Sequence, residues 1–522
     1  MQHLLGIDIG TTGAKAVLFD SSGATVASAF VPWALSLPRP TWAEQDPGDW
    51  WLGTTAAVRE VLNRSGVKPT SVVGVGLAGQ MHGLVLLGAH REVLRPSIIW
   101  CDQRSDKECD WIVNRVGRDR LVSLTSNGVF PAFTAPKLLW VRRHEPDVWA
   151  RARTMLLPKD YVRFCLTDSL ATDVSDAAGT ALFDVAHLCW SDEMLALLDI
   201  SPDLMPEVRG SADVVGYVTA AAAALTGLPR GLPVVAGGAD NSCAAVGNAA
   251  IEPGQVLVSI GSSGIVLAPS AMPTLDPQLR VHTFNHSAPD RWYLMGVTQG
   301  AGLSLRWFRD EFAASEAQLA SAQGRDTYDV MTAEAAESAL GSEGLFWLPY
   351  LQGERTPHLD PAARGVLFGV TSAHKRGDVF RAVMEGVAFS LRDCLDIIAA
   401  TGTSPRQVTL TGGGARSPLW REILSGVLGL PVATTSTHEG PALGAALLAA
   451  VGTGVYSSVP EACMATVREG TCVQASSDSV ARYTNRYALY RSLYPALRPL
   501  FADAARLSND EAGPVGVGRR SG

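Results

Sequence analysis

No stretch of this 522-residue chain approaches the ~20 uninterrupted apolar residues that a membrane-spanning helix needs, so no membrane span is expected. Positive charge is not in excess either. The 43 Lys and Arg residues against 51 Asp and Glu leave a formal net charge of −8, which argues against a general nucleic-acid-binding surface. The opening Met1-Gln2-His3-Leu4-Leu5 lacks a basic segment and Asp8 interrupts the apolar run, so it does not read as a secretory signal. The cysteines, at positions 101, 109, 165, 189, 243, 394, 463 and 472, never fall into C-x-x-C spacing. Neither a disulfide framework nor a zinc site is expected, and reduced thiols in a cytoplasmic protein are. Disorder is excluded by the balance of 47% hydrophobic and 18% charged residues, and the length calls for at least two cores.

What is present begins with a run of short extended segments. Leu4 to Ile9 is apolar, Gly10-Thr11-Thr12-Gly13 turns, Lys15 to Phe19 is again strand-like, Asp20 to Gly23 turns, and Thr25 to Phe30 returns. Asp46-Pro47 then has the form of a helix start, with Trp51, Thr55, Val58 and Leu62 on one face and Gly66 past the end. The segment Ile7-Asp8-Ile9-Gly10-Thr11-Thr12-Gly13 has a counterpart about half a chain away, Val258-Ser259-Ile260-Gly261-Ser262-Ser263-Gly264. Two related α/β domains, each opening with a hairpin, are the expectation, with the boundary near Ile251-Glu252-Pro253-Gly254. The domains run over residues 1–250 and 251–505, and residues 506–522 read as a disordered tail.

Within this frame a few residues carry chemistry. The glycines and hydroxyls of Gly10-Thr11-Thr12-Gly13 can approach and donate to phosphate oxygens. The chain has no G-x-x-x-x-G-K-[ST] loop, and a strand rather than a helix follows, so neither a Walker A loop nor a dinucleotide fingerprint is present. Asp8 lies inside an apolar strand, where a carboxylate is costly unless paired or bound to a cation, and Mg²⁺ held by one carboxylate, water and nucleotide phosphates suits it. Its counterpart is Ser259, so only one half carries the acid. Asp240 ends the run Pro233 to Ala239, an apolar strand passing into small residues. An acid there faces a crevice and can take a proton from an attacking hydroxyl, or it can simply cap the segment that follows. Gln80 and His82, in Gly79-Gln80-Met81-His82-Gly83, offer directional hydrogen bonds suited to a polyol. Asp102 and Arg104 either serve sugar hydroxyls or pair with each other. Gly412-Gly413-Gly414 precedes a helix capped by Ser417 with Pro418 at its first position, a place where nucleotide can press against backbone. Gly440 to Ala446 opens another helix with small residues and reads as close packing.

Taken together, these motifs resemble the FGGY family of carbohydrate kinases, within the actin-like ATPase superfamily. The resemblance runs from about Leu4 to Phe501. It is carried by Gly6 to Gly13, Gly79 to Gly83, Phe133 to Trp140, Leu157-Pro158-Lys159-Asp160-Tyr161, Asp173 to Thr180, Gly353 to His358, Gly365 to Val370 and Gly412 to Ser417. It implies two actin-like (ribonuclease H-like) ATPase domains flanking a deep cleft, and ATP- and Mg²⁺-dependent phosphorylation of a sugar hydroxyl. In the branch resembled most, the sugar is D-xylulose; ribulose, gluconate, glycerol or a deoxyketose are the alternatives. By the same resemblance Asp240 is the general base and Asp8 acts at the Mg²⁺–phosphate end. Gln80, Met81, His82, Asp102 and Asn241 meet the sugar, and Thr11, Thr12, Gly261, Ser262, Ser263 and the three glycines 412–414 hold the nucleotide. Cys101, Ala239 and Ser262 depart from the family pattern of Asn, Gly and Thr. The implied partners are sugar and ATP, with no nucleic acid and no membrane, and a homodimer is left open. A chaperone-like ATPase without a polyol pocket and a silent sugar sensor are the rivals from other classes.

Overall fold

The computed structural model describes residues 1–437 and 439–511. Two principal sheets carry the fold. Their strands are β1 (His3–Ile9), β2 (Gly13–Asp20), β3 (Thr25–Pro32), β4 (Val72–Gly79), β5 (Val214–Tyr217), β6 (Pro233–Val235), β7 (Gln255–Ile260), β8 (Gly264–Ser270), β9 (His282–Asn285), β10 (Trp292–Thr298), β11 (Gln407–Thr411), β12 (Val432–Thr435) and β13 (Glu469–Val473). The helices that matter for the sites are α1 (Pro47–Ser65), α2 (Asp240–Gly247), α3 (Ala301–Phe312), α4 (Thr327–Glu337), α5 (Arg376–Ala400), α6 (Pro418–Leu428), α7 (Gly440–Gly452) and α8 (Ser477–Glu511).

The first sheet runs β5-β6-β4-β1-β2-β3 and the second β9-β10-β8-β7-β11-β12-β13. The order β3-β2-β1-β4-β6 in one is matched by β10-β8-β7-β11-β12 in the other, so the weak sequence repeat has a counterpart in topology. The chain divides into two compact units, one of residues 1–255, 267–294 and 435–470, the other of 256–266, 295–434 and 471–522. The single boundary read near residues 251–254 is thus accompanied by two later segments that return to the first unit.

In the first unit the period of two in β1 sets everything. Leu5, Ile7 and Ile9 point to the face packed by Val58, Val61 and Leu62 of α1. Leu4 points to the other face, which is covered by Cys243, Val246 and the apolar residues of α7. Gly6 shares that face, and a Cβ on it would lie 1.9 Å from the carbonyl oxygen of Ala442 in α7. Asp8 is the next residue on this side, which is why a carboxylate ends up against packed helices.

Helix α1 starts as its sequence says. The Asp46 side chain accepts from the Gly48 N–H at 2.8 Å, Pro47 occupies the first turn, and Gly66 closes the helix with φ +66°. Of the expected face, Val58 and Leu62 are buried, while Trp51 and Thr55 lie at its half-buried edge and Trp50 and Thr54 take the inner places. Trp50 is fully buried and Trp51 only half so, because the Trp50 indole N–H reaches Gln45 Oε1 at 3.1 Å. In the second unit Ser417 accepts from the Trp420 N–H at 3.2 Å with Pro418 following, again as its sequence says. Helix α8 continues through Glu511, so the tail expected from residue 506 begins as helix; residues 512–522 lie outside the described residues. Among the described residues no helix is long and apolar enough to cross a membrane, and the eight cysteines are free thiols.

Candidate active site

Asp8 is half-buried, and its Oδ1 is closed off without a hydrogen-bond partner. In the β1–β2 register it stands opposite Lys15, whose Nζ pairs with Glu439 Oε2 at 2.5 Å. Burial first, and the negative charge of Asp240 second, push its carboxyl up to about 7, with Lys15 opposing and Glu439 adding to the rise. Asp240 belongs to the same unit. It is the first residue of α2 rather than its cap, placed there by Gly238-Ala239, which pair alongside the end of β4. Its Oδ1 accepts from the backbone N–H of Asn241 at 2.6 Å and from Asn241 Nδ2 at 2.9 Å. Burial raises the Asp240 carboxyl to about 6, opposed by the Asn241 N–H.

The Gln80–His82 loop divides its labour. Met81 faces this group, with Sδ 4.0 Å from Asn241 Nδ2. His82 sits in a left-handed conformation at φ +71° and stacks on Phe133 with centroids 4.7 Å apart. Its Nδ1 lies 2.7 Å from the Gly179 carbonyl oxygen, so Nδ1 carries a proton and donates it there. The His82 carbonyl is held by Lys137 Nζ at 2.9 Å and Thr134 Oγ1 at 3.2 Å. Gln80 is not presented to a ligand in this way. It is 1% exposed; its Nε2 donates to Gln45 Oε1 at 2.9 Å and Gly10 O at 3.4 Å, and its Oε1 accepts from Thr11 Oγ1 at 3.4 Å. It braces the Gly10–Thr11 turn from inside.

Thr11 is similarly committed. Its carbonyl accepts from Gln45 Nε2 and Trp33 Nε1, at 2.6 and 3.1 Å, and its hydroxyl from Trp100 Nε1 at 2.8 Å. Thr12 is exposed at the tip. Asp102, buried completely, accepts from the Ala43 N–H at 2.6 Å and from Arg104 through several N–H groups, and Arg104 also meets Glu44 Oε1 at 2.6 Å. The Arg104 guanidinium lies 3.9 Å over the Trp42 ring. Of the two readings offered by the sequence, pairing of Asp102 with Arg104 is the one this geometry supports.

The second unit holds its own site. The Gly261 N–H bonds to Ser263 O at 3.0 Å, one residue tighter than the first turn, where Gly10 N–H bonds to Gly13 O at 3.1 Å. The Gly261 and Ser262 carbonyls accept from Gly302 and Leu303 at the start of α3, at 2.9 and 3.0 Å. A cavity of about 690 Å³ opens beside this turn, lined by Gly261, Ser262, Arg306, Tyr328, Gly413 and Gly414 among others. That volume suits a nucleoside-sized ligand. The three glycines are not equivalent. Gly412 has φ +79° and its absent Cβ would lie 2.6 Å from Ile260 O, and a Cβ on Gly414 would lie 2.7 Å from Ile260 Cβ. Gly413 is open, its nearest neighbour 3.9 Å away, and it borders the cavity.

Sequence reasoning did not single out Lys15, Glu439, Gln45, Trp100 or α4 as parts of these sites. Their only local signal was polar or aromatic character next to an apolar run, which many surface residues share. The role of Lys137, quoted only as part of a motif, is likewise visible only from its bonds to the His82 carbonyl.

One unit thus carries two acids and the Gln80–His82 loop, and the other a glycine-lined cavity of nucleoside size. Residues 3–247 match the N-terminal domain of the FGGY family of carbohydrate kinases, and residues 256–453 match its C-terminal domain. The chain is 40% identical over 499 residues to the xylulose kinase of Escherichia coli (strain K12), covering 95% of this chain and 100% of that one. The crystal structure of xylulose kinase from Rhodospirillum rubrum superimposes with a TM-score of 0.87 at 33% identity, over 96% of this chain and 100% of the other. The gluconokinase of Bacillus licheniformis is 30% identical over 457 residues, covering 87% and 88% of the two chains. The chain belongs to the FGGY family of carbohydrate kinases, enzymes that transfer a phosphoryl group to a sugar hydroxyl.

Proposed function

We propose that the protein phosphorylates D-xylulose at its 5-hydroxyl with ATP, giving D-xylulose 5-phosphate and ADP. The observation that carries this reading is the company of Asp240. It is a carboxylate beside Asn241 and Met81, in the same unit as the His82 loop and Asp8. The sugar hydroxyl gives its proton to the Asp240 carboxylate as its oxygen attacks the γ-phosphorus, and the bond from that phosphorus to the ADP oxygen breaks in line. Asn241 holds one Asp240 oxygen, leaving the other for the hydroxyl. His82 and Met81 orient the polyol. The cavity beside Gly261 and Gly413 receives the nucleoside.

The fit of Mg²⁺ can be tested on the residues themselves. Asp8 Oδ1 is a buried acceptor without a donor, and among the described residues no group of three or more His, Cys, Asp or Glu side chains could cage a metal. One carboxylate, with phosphate oxygens and water completing the shell, suits a hard, strongly hydrated cation. Asp8 would hold Mg²⁺, which supplies charge neutralisation at the phosphates.

Gluconate is the second reading, supported by the gluconokinase relative. It carries a carboxylate and asks for a cation. Two cations named above are already spent: Arg104 on Asp102 and Glu44, and Lys137 on the carbonyls of His82 and Ala132. Burial moreover lowers the Lys137 ammonium to about 7. A neutral ketose fits this environment better. The test is ADP release by the purified protein with Mg·ATP and D-xylulose, ribulose, gluconate or glycerol, together with the Asp240→Asn variant. D-xylulose should give the highest kcat/KM, and the variant should lose on the order of 10³-fold or more in kcat. A higher kcat/KM for gluconate would overturn the substrate, and parental turnover in Asp240→Asn would overturn the base.

A further inference from the structure

Behind Asp240 lies a buried polar cluster that the phosphoryl transfer does not use. Lys159, Asp160, Arg163, Asp173 and Asp176 are all fully buried. Lys159 Nζ contacts Asp160 Oδ1 at 2.7 Å, Asp173 Oδ1 at 2.8 Å and Asp176 Oδ2 at 3.1 Å, and Arg163 Nη1 meets Asp160 Oδ1 at 2.9 Å. Five ionisable groups out of water are expensive to assemble, and similar stability is available from apolar side chains. The cluster therefore calls for a role beyond stability.

Its outward bonds supply one. Several of them lead to the backbone of Ala236, Gly237 and Ala239, three of the four residues that precede Asp240. Arg163 Nη1 donates to Ala236 O at 2.8 Å. The Gly237 N–H donates to Ser211 O at 2.9 Å, and Ser211 Oγ donates to Asp173 Oδ2 at 2.8 Å. The Ala239 N–H donates to Ser175 Oγ at 3.0 Å, and Ser175 Oγ donates to Asp173 Oδ2 at 2.5 Å. Ser287 Oγ adds a second donor to Ser175 at 3.1 Å. A Cβ on Gly238 would lie 2.3 Å from Ser287 Oγ and 3.1 Å from Ser175 Oγ, so the strand is pressed onto these hydroxyls.

Directionality follows from charge. A carboxylate accepts only, so Asp173, held by Lys159, takes the protons of both the Ser175 and the Ser211 hydroxyls. That turns the lone pairs of Ser175 toward the Ala239 N–H and Ser287. The hydroxyl cannot rotate without breaking a charge-assisted bond.

We infer that Asp173 and Ser175 are positioning residues for Asp240, with Lys159 and Arg163 behind them: they touch no substrate, and fix the place from which the carboxylate meets the sugar hydroxyl. The inference rests on the reading of Asp240 as the base. An error of about 1 Å at such a group costs on the order of a hundredfold in rate.

The test is a kinetic cycle of Ser175→Ala, Asp240→Asn and the double variant, with kcat and the KM values for sugar and ATP, and circular dichroism to confirm folding. Ser175→Ala should lower kcat by on the order of tenfold to a hundredfold, with the KM for ATP within about twofold. In the Asp240→Asn background the same change should leave the residual rate unaltered, which a merely structural role would not do. Ser211→Ala keeps the carbonyl used by Gly237 and removes only one hydroxyl from Asp173. It should lower kcat by about fivefold in the same pattern, and it alone decides if Ser175→Ala fails to fold. A folded Ser175→Ala with kcat within twofold of the parent, or an equal loss in both backgrounds, overturns the inference. Parental turnover in Asp240→Asn would instead remove the base reading on which it stands.

Discussion

Two buried ionisable side chains, Asp102 and His286, are partnered in different ways. Asp102 accepts from Arg104 and from the Ala43 N–H, so its oxygens are committed inside the fold. His286 gives up its charge. It is buried, its Nδ1 accepts the Ala288 N–H at 2.9 Å, and burial pulls the ring from 6.5 down to about 4. Only the neutral ring can accept that bond. Between about pH 6.5 and 4 the unfolded chain binds a proton there that the folded chain refuses. Stability from this residue is therefore fully present above 6.5 and is lost as pH falls toward 4, by an amount on the order of 3 kcal/mol. Urea unfolding of the parent and of His286→Gln at pH 7 and pH 4.5 measures it. The parent should lose more stability on acidification than the variant, and equal losses would contradict the assignment.

Helix α7 is the element whose sequence most directly dictates its placement. Its Ala- and Gly-rich face lets backbone meet backbone: a Cβ on Gly76 of β4 would lie 1.9 Å from Ala445 O, and one on Gly444 would lie 1.8 Å from Cys243 O of α2. Gly76→Ala should thus cost about 3 kcal/mol or more, since carbonyls cannot swing aside. Gly74→Ala should cost less, because its nearest neighbour, 2.9 Å away, is the Thr453 methyl. Denaturant midpoints compare the two, and equal losses would remove backbone contact as the cause. At this scale the sequence was readily legible. The hairpin of β1 and β2, the Asp46-Pro47 start of α1, the Ser417-Pro418 start of α6 and the close packing of Gly440 to Ala446 all follow from turn and cap chemistry acting over a few residues. The surroundings of Asp8 were not legible in the same way. Lys15 reaches it through strand pairing, and Glu439 arrives from a segment far downstream that packs on the same face of β1. Long-range pairing leaves no local trace. At the start of α1 the cause is different: Trp50 and Trp51 are equally apolar, and the bond from the Trp50 indole to Gln45, five residues earlier, accompanies the inward turn of Trp50.

Across the whole molecule the repeated strand order has been put to two uses. One hairpin carries Asp8 and the other Ser259, and the cavity beside Gly261 and Gly413 lies in the second unit. If the nucleoside occupies that cavity, a side chain added at Gly413 should block it without disturbing the fold. The position allows this, because its nearest neighbour is 3.9 Å from where a Cβ would stand, whereas Gly412 has φ +79° and Ile260 O at 2.6 Å. ADP at a hundred times its Kd should stabilise the parent by about 2.7 kcal/mol, read as a rise in the thermal midpoint. Gly413→Leu should unfold near the parental temperature without nucleotide and show no rise with it. Gly412→Ala should unfold at lower temperature regardless of nucleotide, because its defect is strain in the loop itself. Met81→Ala, altered in the other unit, should retain the full response to ADP. Retention of that response by a folded Gly413→Leu would place the nucleotide elsewhere, and the triple glycine would then be explained by its packing against Ile260 alone.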